Sequence, residues 1–186
     1  MRTSLIIALS IAALSCFGQS AKQIKSRHIR KVVTTTETHT DGKTELVTEI
    51  EHFDKKGRTV SSCQFNADSS SYKKSLYTYD RKGNKTSELR YTSKREETFS
   101  KWEYEYDVLG NITLSLKFDA QGLNQRTDFL YNNQGDKVLE TITNAQGDVT
   151  KKIEYTYDLT GMLIQRRVLD AKGQCIEEKK MNYANE

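Results

Sequence analysis

The segment that decides the fold is Tyr104-Glu105-Tyr106-Asp107-Val108-Leu109-Gly110-Asn111. At its centre an aromatic residue is followed by an acid or amide, two free positions and a glycine. The same motif recurs at Phe53-Asp54-Lys55-Lys56-Gly57, Tyr79-Asp80-Arg81-Lys82-Gly83, Tyr131-Asn132-Asn133-Gln134-Gly135 and Tyr157-Asp158-Leu159-Thr160-Gly161. The aromatic residues are 26, 27, 25 and 26 positions apart, and one more step of 26 reaches Tyr183. A regular period of this length indicates a repeat protein.

Each motif predicts a tight turn. The acid or amide side chain can accept a hydrogen bond from the backbone two residues further on, and glycine tolerates a positive φ. Along one side of a sheet such acids could also hold cations or a basic partner, but turn capping explains each of them separately and is the favoured interpretation. The predicted turn-forming residues are Asp54, Gly57, Asp80, Gly83, Asp107, Gly110, Asn132, Gly135, Asp158 and Gly161.

A second, looser series of turns lies between these motifs. Its anchors are Phe65-Asn66, Tyr91-Thr92, Phe118-Asp119, Thr143-Asn144 and Leu169-Asp170. From each motif glycine to the next anchor the gap is always eight residues, whereas the return gap varies between 13 and 15. We call the first series the strong turns and the second the loose turns, and we expect variation in length to be confined to the loose turns.

The stretches between turns alternate with a period of two, as Ile112, Leu114 and Leu116 do against Thr113 and Ser115. The chain has no proline, so every stretch can join a β ladder. Turns every 12 to 15 residues leave no room for crossover helices, and neighbouring strands should therefore be antiparallel. The predicted fold is all-β, with tandem antiparallel β-hairpin repeats of about 26 residues per two-hairpin unit. They should form a long twisted, curled meander sheet of around eleven strands, which curls or splits into a sandwich to bury one face.

Two segments precede the repeat domain, which we place at residues 32–186. Residues 1–18 have the features of a secretory signal peptide, with Arg2 followed by an apolar run from Leu5 to Leu14, and cleavage would follow Gly18. The alternative is lipidation at Cys16, because Ala13-Leu14-Ser15-Cys16 is a loose version of a bacterial lipobox. Residues 19–31 form a basic N-terminal arm, expected to be solvated. The chain should be exported, to the periplasm, the outer surface or the medium.

The charge balance and the absence of catalytic motifs narrow the range of expected functions, whereas the cysteines say little. Without Arg2 there are 28 lysines and arginines against 25 acids, a net charge of +3. This balance does not demand a nucleic acid, and a membrane partner is expected only if Cys16 is lipidated. We expect Cys63 and Cys175 to be separate thiols. No histidine, cysteine or carboxylate spacing matches a metal site, and no nucleophile or phosphate-loop motif is present, so no enzyme activity, cofactor or metal is predicted.

Four aromatic pairs form the candidate binding site. Their members are two residues apart and so lie on one face of a strand, which would give a ladder with steps of about 10 Å. A solvent-facing ladder would stack on sugar rings or an aromatic partner, whereas an inward-facing ladder is simply core. Core is favoured because the chain is short of other apolar residues, with the hydroxyls reaching the rim of the sheet. The pairs are Tyr77/Tyr79, Tyr104/Tyr106, Phe129/Tyr131 and Tyr155/Tyr157.

The segments Tyr77-Thr78-Tyr79-Asp80-Arg81-Lys82-Gly83-Asn84 and Tyr155-Thr156-Tyr157-Asp158-Leu159-Thr160-Gly161, with the segment quoted first, resemble the YD repeats of RHS proteins. The resemblance covers essentially the whole chain after the signal and implies a β-repeat fold in an extracytoplasmic setting. In that family, long arrays wind into a hollow β shell around a toxin, and shorter relatives serve in surface adhesion, sometimes described as carbohydrate binding. The proline-containing motif of the toxin-bearing members has no counterpart here, because the chain lacks proline.

Two functional hypotheses follow. The leading one is a non-catalytic exported binding or scaffold module, at the cell surface or in the periplasm, that recognises a glycan or a protein. The alternative is a shell remnant or accessory of an RHS-type toxin system that acts by association, including self-association, through β edges. The first and last strands of a non-closing array would be exposed for this purpose.

Overall fold

The computed structural model describes residues 20–40, 43–68, 71–96 and 99–184. One short helix, α1 (Ala21–Ser26), precedes twelve strands. The strands are β1 (Lys31–Thr40), β2 (Lys43–Phe53), β3 (Thr59–Asn66), β4 (Tyr72–Tyr79), β5 (Lys85–Tyr91), β6 (Phe99–Tyr106), β7 (Ile112–Asp119), β8 (Gly122–Tyr131), β9 (Lys137–Asn144), β10 (Val149–Tyr157), β11 (Leu163–Asp170) and β12 (Cys175–Lys180). The predicted signal peptide with Cys16 lies outside the described residues.

All twelve strands form one sheet whose order follows the chain, and every neighbouring pair is antiparallel. This confirms the predicted all-β hairpin meander. The number of strands is twelve rather than around eleven. With neighbouring strands about 4.8 Å apart, the sheet is about 50 Å wide.

The two series of turns lie at opposite ends of the strands, which we call the strong-turn rim and the loose-turn rim. In each strong turn the backbone N–H of the Asp or Asn residue donates to the backbone carbonyl four residues further on, as from Asp107 to Asn111 at 2.9 Å. On the loose-turn rim, Asn144 and Asp170 close their turns in the same way, at 3.0 and 2.9 Å. The loose turn between β7 and β8 has only two residues, 120 and 121, so this rim is indeed the variable one.

A β-bulge accompanies every strong turn. The register shifts by one residue at the motif aromatic, so that Tyr79 lies opposite Lys85 and Tyr131 lies opposite Lys137. The same shift occurs at Phe53, Tyr106 and Tyr157. Because a bulge re-aims side chains and increases local twist, it sets which residues of the next strand meet each aromatic ring.

The sheet is a single open layer. Substantial contacts between strands are confined to consecutive strands, and the sandwich alternative is not formed. Among the described residues, the buried hydrophobic side chains are Ile24, Leu114, Ile153, Val168 and Leu169. Most other strand residues are half-buried, so both faces remain accessible. With a hydrophobic content of 35%, the chain lacks the apolar surface that a second layer would require.

The basic N-terminal arm contains a short helix, α1, that was not predicted from the sequence, and all lysines and arginines of the arm are exposed. Ser20 caps the helix and forms a capping box with Gln23, which satisfies amides at the helix start. Ile24 is 3% exposed. The helix lies on the first strong turn, where a Cβ atom added to Gly57 would overlap the carbonyl oxygen of Ala21. Within the described residues, no helix is long and apolar enough to cross a bilayer.

Candidate functional site

The candidate site is the face of the sheet that carries the four aromatic pairs, which we call the ladder face. Directly opposite residues on neighbouring strands point to the same face. The register links Tyr77 to Glu88 and Glu88 to Trp102, and so joins β4 to β6 through β5. In the same way Ser115 lies between Tyr104 and Thr127, and Glu140 lies between Phe129 and Ile153. Trp102, Thr127 and Ile153 each lie two residues before the first ring of a pair and so share its face. All four pairs therefore share one face.

The second member of each pair holds the strong-turn rim together. Its hydroxyl donates to the first backbone carbonyl of the preceding strand, as Tyr79 does to Thr59 at 2.7 Å and Tyr106 does to Lys85 at 2.7 Å. Tyr183 makes the same bond to Leu163 at 2.9 Å. Tyr131 and Tyr157 donate to Ile112 and Lys137, both at 2.9 Å. Burial raises the pKa of Tyr79, Tyr106, Tyr131 and Tyr157, so these hydroxyls stay protonated and available as donors.

The first member of each pair lies beside a cation. The Lys85 ammonium is 5.4 Å from the ring centre of Tyr77 and 5.3 Å from that of Tyr104. Lys137 occupies the same place two repeats later, 5.5 Å from Phe129 and 4.9 Å from Tyr155. At these distances a cation is attracted to the negative faces of both rings. Two of the three ladder steps are thus filled by a lysine.

The middle step of the ladder is different. Ile112 lies opposite Tyr106 at the position that Lys85 and Lys137 have opposite their own motif tyrosines. Ser115, three residues after Ile112, has the position that Glu88 has after Lys85 and that Glu140 has after Lys137. The ladder therefore presents a charged step, an apolar step and a second charged step.

Each lysine of the ladder is paired with the glutamate three residues further on. Lys85 Nζ is 2.5 Å from Glu88 Oε2, and Arg90 binds the other oxygen of this carboxylate, which is 4% exposed. Burial alone would raise the pKa of Glu88, but Lys85 and Arg90 outweigh it and lower the pKa. Lys137 pairs with Glu140, which also accepts a hydrogen bond from the Tyr155 hydroxyl at 2.6 Å. The Lys137 and Glu140 charges therefore balance each other, whereas Lys85 and Arg90 share the single carboxylate of Glu88.

Trp102, the one tryptophan of the chain, is also on the ladder face. The Arg90 guanidinium carbon is 4.8 Å and the Lys117 ammonium 5.7 Å from its ring system. Sequence reasoning found neither Trp102 nor the two lysines between paired rings. We call these two arrangements the lysine cages: Lys85 between Tyr77 and Tyr104, and Lys137 between Phe129 and Tyr155. The signal for the cages was present, because Lys-x-x-Glu occurs at 85–88 and again 52 residues later at 137–140.

The rings of the ladder are neither fully buried in a core nor fully exposed. All eight aromatic residues are half-buried by their neighbours on the same sheet. Burial, followed by the nearby Glu88 carboxylate, raises the pKa of Tyr104 to about 12. No described element lies over these rings, since contacts between strands are confined to consecutive ones. The face can offer ring surfaces for stacking, with ammonium, guanidinium and carboxylate groups between them.

The predicted turn residues lie on the strong-turn rim, where the acids and amides cap their own turns. Asp107 Oδ1 accepts hydrogen bonds from the amides of Leu109 and Asn111, both at 2.9 Å. The Asn111 side chain and these backbone bonds lower the pKa of Asp107. Asp54, Asn132 and Asp158 likewise accept from the amides two and four residues further on, and Asp80 accepts from the amides of Gly83 and Asn84. The motif glycines all have positive φ, between 80° and 105°.

Among the described residues, neither the histidines nor the cysteines come together in a site. His39 lies opposite Thr44 and His52 opposite Lys31, at the two ends of the β1–β2 hairpin. Cys63 and Cys175 are free and lie nine strands apart in the sheet, a separation of about 43 Å. Within the part of the chain that the structure describes, no three histidine, cysteine or acidic residues are placed to hold a metal ion.

The opposite face has a shallow depression of about 380 Å³ over β4 to β7. A hydroxyl cluster lies at its side, where the Thr78 Oγ1 atom is 2.9 Å from that of Thr86 and 2.7 Å from the Ser87 hydroxyl. Leu114 and Leu116 also line it. These hydroxyls are bonded to one another. Towards the loose-turn rim the same face also carries aromatic rings, where Phe65 lies opposite Tyr72 and Tyr91 lies opposite Phe99, but it does not carry the i, i+2 pairs of the strong-turn motifs.

No family model matches the chain, and no curated protein matches it. Among solved structures, a porin-like protein from Bacteroides uniformis is similar with a TM-score of 0.43 and 14% identity, over 83% of this chain and 56% of that one. The complex TcdB2-TccC3 gives a TM-score of 0.35 and 13% identity over 81% of this chain and 10% of that one. A protein of unknown function from Bacteroides fragilis gives a TM-score of 0.17 and 15% identity, over 84% of this chain and 96% of that one. The chain thus spans about half the length of the first structure and a tenth of the second. Identities this low assign no activity.

Proposed function

We propose that this chain is a non-catalytic binding or scaffold module that acts outside the cytoplasm, at the cell surface or in the periplasm. Its partner, a protein or a glycan, binds to the ladder face. One observation carries the proposal: a single-layer sheet leaves uncovered a face on which ring pairs and caged cations repeat at fixed steps. Stacked repeats generate extended binding surfaces of this kind.

The size and composition of the ladder face suit a macromolecular partner. From β4 to β10 it measures about 29 by 26 Å, or roughly 750 Å², close to the contribution of one partner to an ordinary protein interface. Tyrosine, tryptophan and arginine are the residue types that most often dominate binding energy. Tyr77, Tyr104, Tyr155, Trp102 and Arg90 supply them here.

The ladder face is also preorganised for binding. Hydroxyl bonds hold the second rings of the pairs, as from Tyr106 to Lys85, and the lysine cages hold the first rings. Side chains that are already fixed lose little conformational entropy when a partner arrives. A flat array of fixed rings can stack on sugar rings or on the aromatic and aliphatic side chains of a protein.

Association through the last strand of the sheet is less well supported. β12 carries Glu177, Glu178, Lys179 and Lys180, all exposed. Charged side chains on an edge strand oppose pairing with another sheet. Binding through the ladder face is therefore favoured over the shell-remnant alternative.

The test compares the purified chain with two matched variants on a glycan array and on an extract of surface proteins. Ser115→Arg places a bulky charge in the middle step of the ladder face, between Tyr104 and Thr127. Thr141→Arg makes a comparable change on the opposite face, between Asp128 and Lys152. Both positions are half-buried strand residues.

We expect the chain to bind a glycan or protein ligand, and the Thr141→Arg variant to keep this binding. The Ser115→Arg variant should bind the ligand at least about tenfold more weakly, which is a loss of about 1.4 kcal/mol in binding free energy. The absence of any ligand, or equal retention by the two variants, would count against the proposal. Equal loss of thermal stability in the two variants, measured in parallel, ensures that the comparison reports on binding.

A further inference from the structure

The positive charge of the chain is concentrated at one end of the strong-turn rim. Residues 20–31 and the first three strong turns, at 54–58, 80–84 and 107–111, contain ten lysines and arginines but only three acids. The rest of the chain has 19 basic residues against 22 acids. The modest net charge of +4 therefore hides a strongly basic region. We call it the basic corner: Lys22, Lys25, Arg27, Arg30, Lys31, Lys55, Lys56, Arg58, Arg81 and Lys82.

The fold assembles these residues into one continuous surface. Helix α1 lies on the first strong turn at Gly57, and Arg30 Nη1 donates to the carbonyl of Asp54 at 2.7 Å. Lys56 Nζ donates to the carbonyl of Arg81 in the second strong turn at 3.2 Å. Lys82 Nζ in turn donates to the carbonyl of Val108 in the third strong turn at 3.4 Å. Basic residues that are far apart in the chain thus form one row along the rim.

The cations of the basic corner are available to a partner. All except the half-buried Arg58 are exposed, and Arg58 is paired with Asp54 at 2.6 Å. The carboxylates of Asp80 and Asp107 cap their own turns, where they accept amide hydrogen bonds. The three acids of this region are therefore engaged within the fold, while nine cations face solvent.

An apolar tip lies directly beside these cations. Val108 and Leu109 occupy the two free positions of the third strong turn and are 85% and 80% exposed. The fold therefore leaves two large aliphatic side chains exposed at the end of a hairpin, next to Lys82. Aliphatic side chains at a turn tip beside clustered cations have the composition of an interfacial contact, with apolar groups next to basic ones.

From this juxtaposition we infer that the basic corner and the Val108-Leu109 tip bind the surface of an anionic lipid bilayer. Clustered lysines and arginines are attracted to acidic headgroups, and aliphatic side chains at a turn tip can enter the interfacial zone. A soluble polyanion would engage the cations but would leave the aliphatic pair in water. The inference is independent of the proposed function of the ladder face, and it requires no lipid on Cys16.

Such contact would fix the orientation of the sheet. The strong-turn rim would lie against the membrane at its basic corner, and the strands would rise away from the bilayer. Both faces of the sheet would then remain open, so the ladder face could bind its partner while the rim is held at the membrane.

The experiment measures co-sedimentation with vesicles of phosphatidylcholine alone or of phosphatidylcholine mixed equally with phosphatidylglycerol. Every protein is the full chain with Cys16→Ser, so that no acyl chain contributes and any binding through the apolar run Leu5 to Leu14 is common to all. The charge variant replaces Lys55, Lys56, Arg81 and Lys82 with glutamine. Its matched control replaces four exposed lysines near the loose-turn rim, Lys43, Lys151, Lys152 and Lys172, with glutamine.

We expect the parent chain to prefer the anionic vesicles and the charge variant to lose this preference by about a hundredfold, since each surface cation adds a substantial attraction. The control should keep the preference. The double variant Val108→Ser with Leu109→Ser should also weaken binding to anionic vesicles, whereas Leu159→Ser, in the fifth strong turn away from the cations, should not. Leu159 is fully exposed and so makes a fair comparison.

The inference would be overturned by equal binding to neutral and anionic vesicles, by equal loss in the charge variant and its control, or by full retention in the Val108 and Leu109 double variant. Inorganic phosphate is added as a competitor at constant ionic strength. If it abolishes vesicle binding, the corner is a phosphate site and not a membrane surface. Thermal unfolding of each variant verifies that the sheet is intact.

Discussion

The hydroxyl of Tyr106 donates a hydrogen bond to the backbone carbonyl of Lys85, 2.7 Å away, and thereby joins the end of β6 to the start of β5. Tyr79, Tyr131 and Tyr157 make the same bond at their own strong turns, and Tyr183 makes it after β12. In a sheet without a second layer, contacts between neighbouring strands must supply most of the stability. This bond is therefore a structural reason for a tyrosine at the centre of the motif.

Replacing Tyr106 with phenylalanine should lower the free energy of unfolding by about 1 kcal/mol, the usual loss for one hydrogen bond. The matched control is Tyr77→Phe, in the first member of a pair, whose ring contacts Lys85 by its face. Urea unfolding followed by circular dichroism provides the measurement. Equal effects of the two changes would show that the carbonyl bond does not stabilise the rim.

The docking of α1 on the first strong turn predicts a difference between two glycines. Gly57 and Gly135 have φ of +80° and +90°, so alanine should strain both by about 1 kcal/mol. A Cβ atom at Gly57 would also overlap Ala21, whereas none of the described atoms lies within 4 Å of one at Gly135. Gly57→Ala should therefore release the helix as well, seen as faster hydrogen exchange around Ile24. Slow exchange there in the Gly57→Ala variant would contradict the docked arrangement.

The buried carboxylate of the first lysine cage should be more important than an exposed one. Glu88→Gln removes the negative charge between Lys85 and Arg90, at a side chain that is 4% exposed. The expected loss of unfolding free energy is about 1–3 kcal/mol. Glu103→Gln breaks a pair with Lys101 whose members are 42% and 41% exposed, and it should cost less than about 0.5 kcal/mol. A Glu103→Gln variant that loses as much stability as the Glu88→Gln variant would contradict this ranking.

The raised tyrosine pKa values predict instability at alkaline pH. An ordinary tyrosine has a pKa of 10.0, and in the fold that of Tyr104 is about 12. A group whose pKa is raised in the fold contributes stability that is fully present below pH 10 and is lost as the pH rises towards 12. The midpoint of chemical unfolding, followed across this range, should fall, and Tyr104→Phe should reduce the slope. A midpoint independent of pH would contradict the burial of these hydroxyls.

Much of the fold could be predicted because the turns are local. The motif from Tyr106 to Gly110 contains the hydrogen-bonding acid and the positive-φ glycine that its turn requires, so the hairpins and their antiparallel order followed from spacing alone. The step of 26 that ends on Tyr183 reaches a residue with the same carbonyl bond as its predecessors.

The contacts across strands could not be predicted in the same way. The bulge at Tyr79 decides that Lys85 lies opposite it and between two rings, and a bulge leaves little trace in the sequence. The docking of α1 depends on the space above Gly57, although the capping box at Ser20 and Gln23 could have indicated a helix. Half of the basic corner was visible in the sequence as the basic N-terminal arm, but its union with Lys55, Lys56, Arg58, Arg81 and Lys82 was not, because the residues come from three separate segments.

Quenching of Trp102 fluorescence by acrylamide reports directly on whether the ladder face is uncovered and binds a partner. Trp102 is the one tryptophan and lies half-buried on the ladder face, between Arg90 and Lys117. An uncovered ladder face that binds a partner predicts that acrylamide quenches Trp102 readily in the free chain and much less once the glycan or protein ligand is bound. A Trp102 that is shielded in the free chain, or that is quenched equally with and without ligand, would contradict the account.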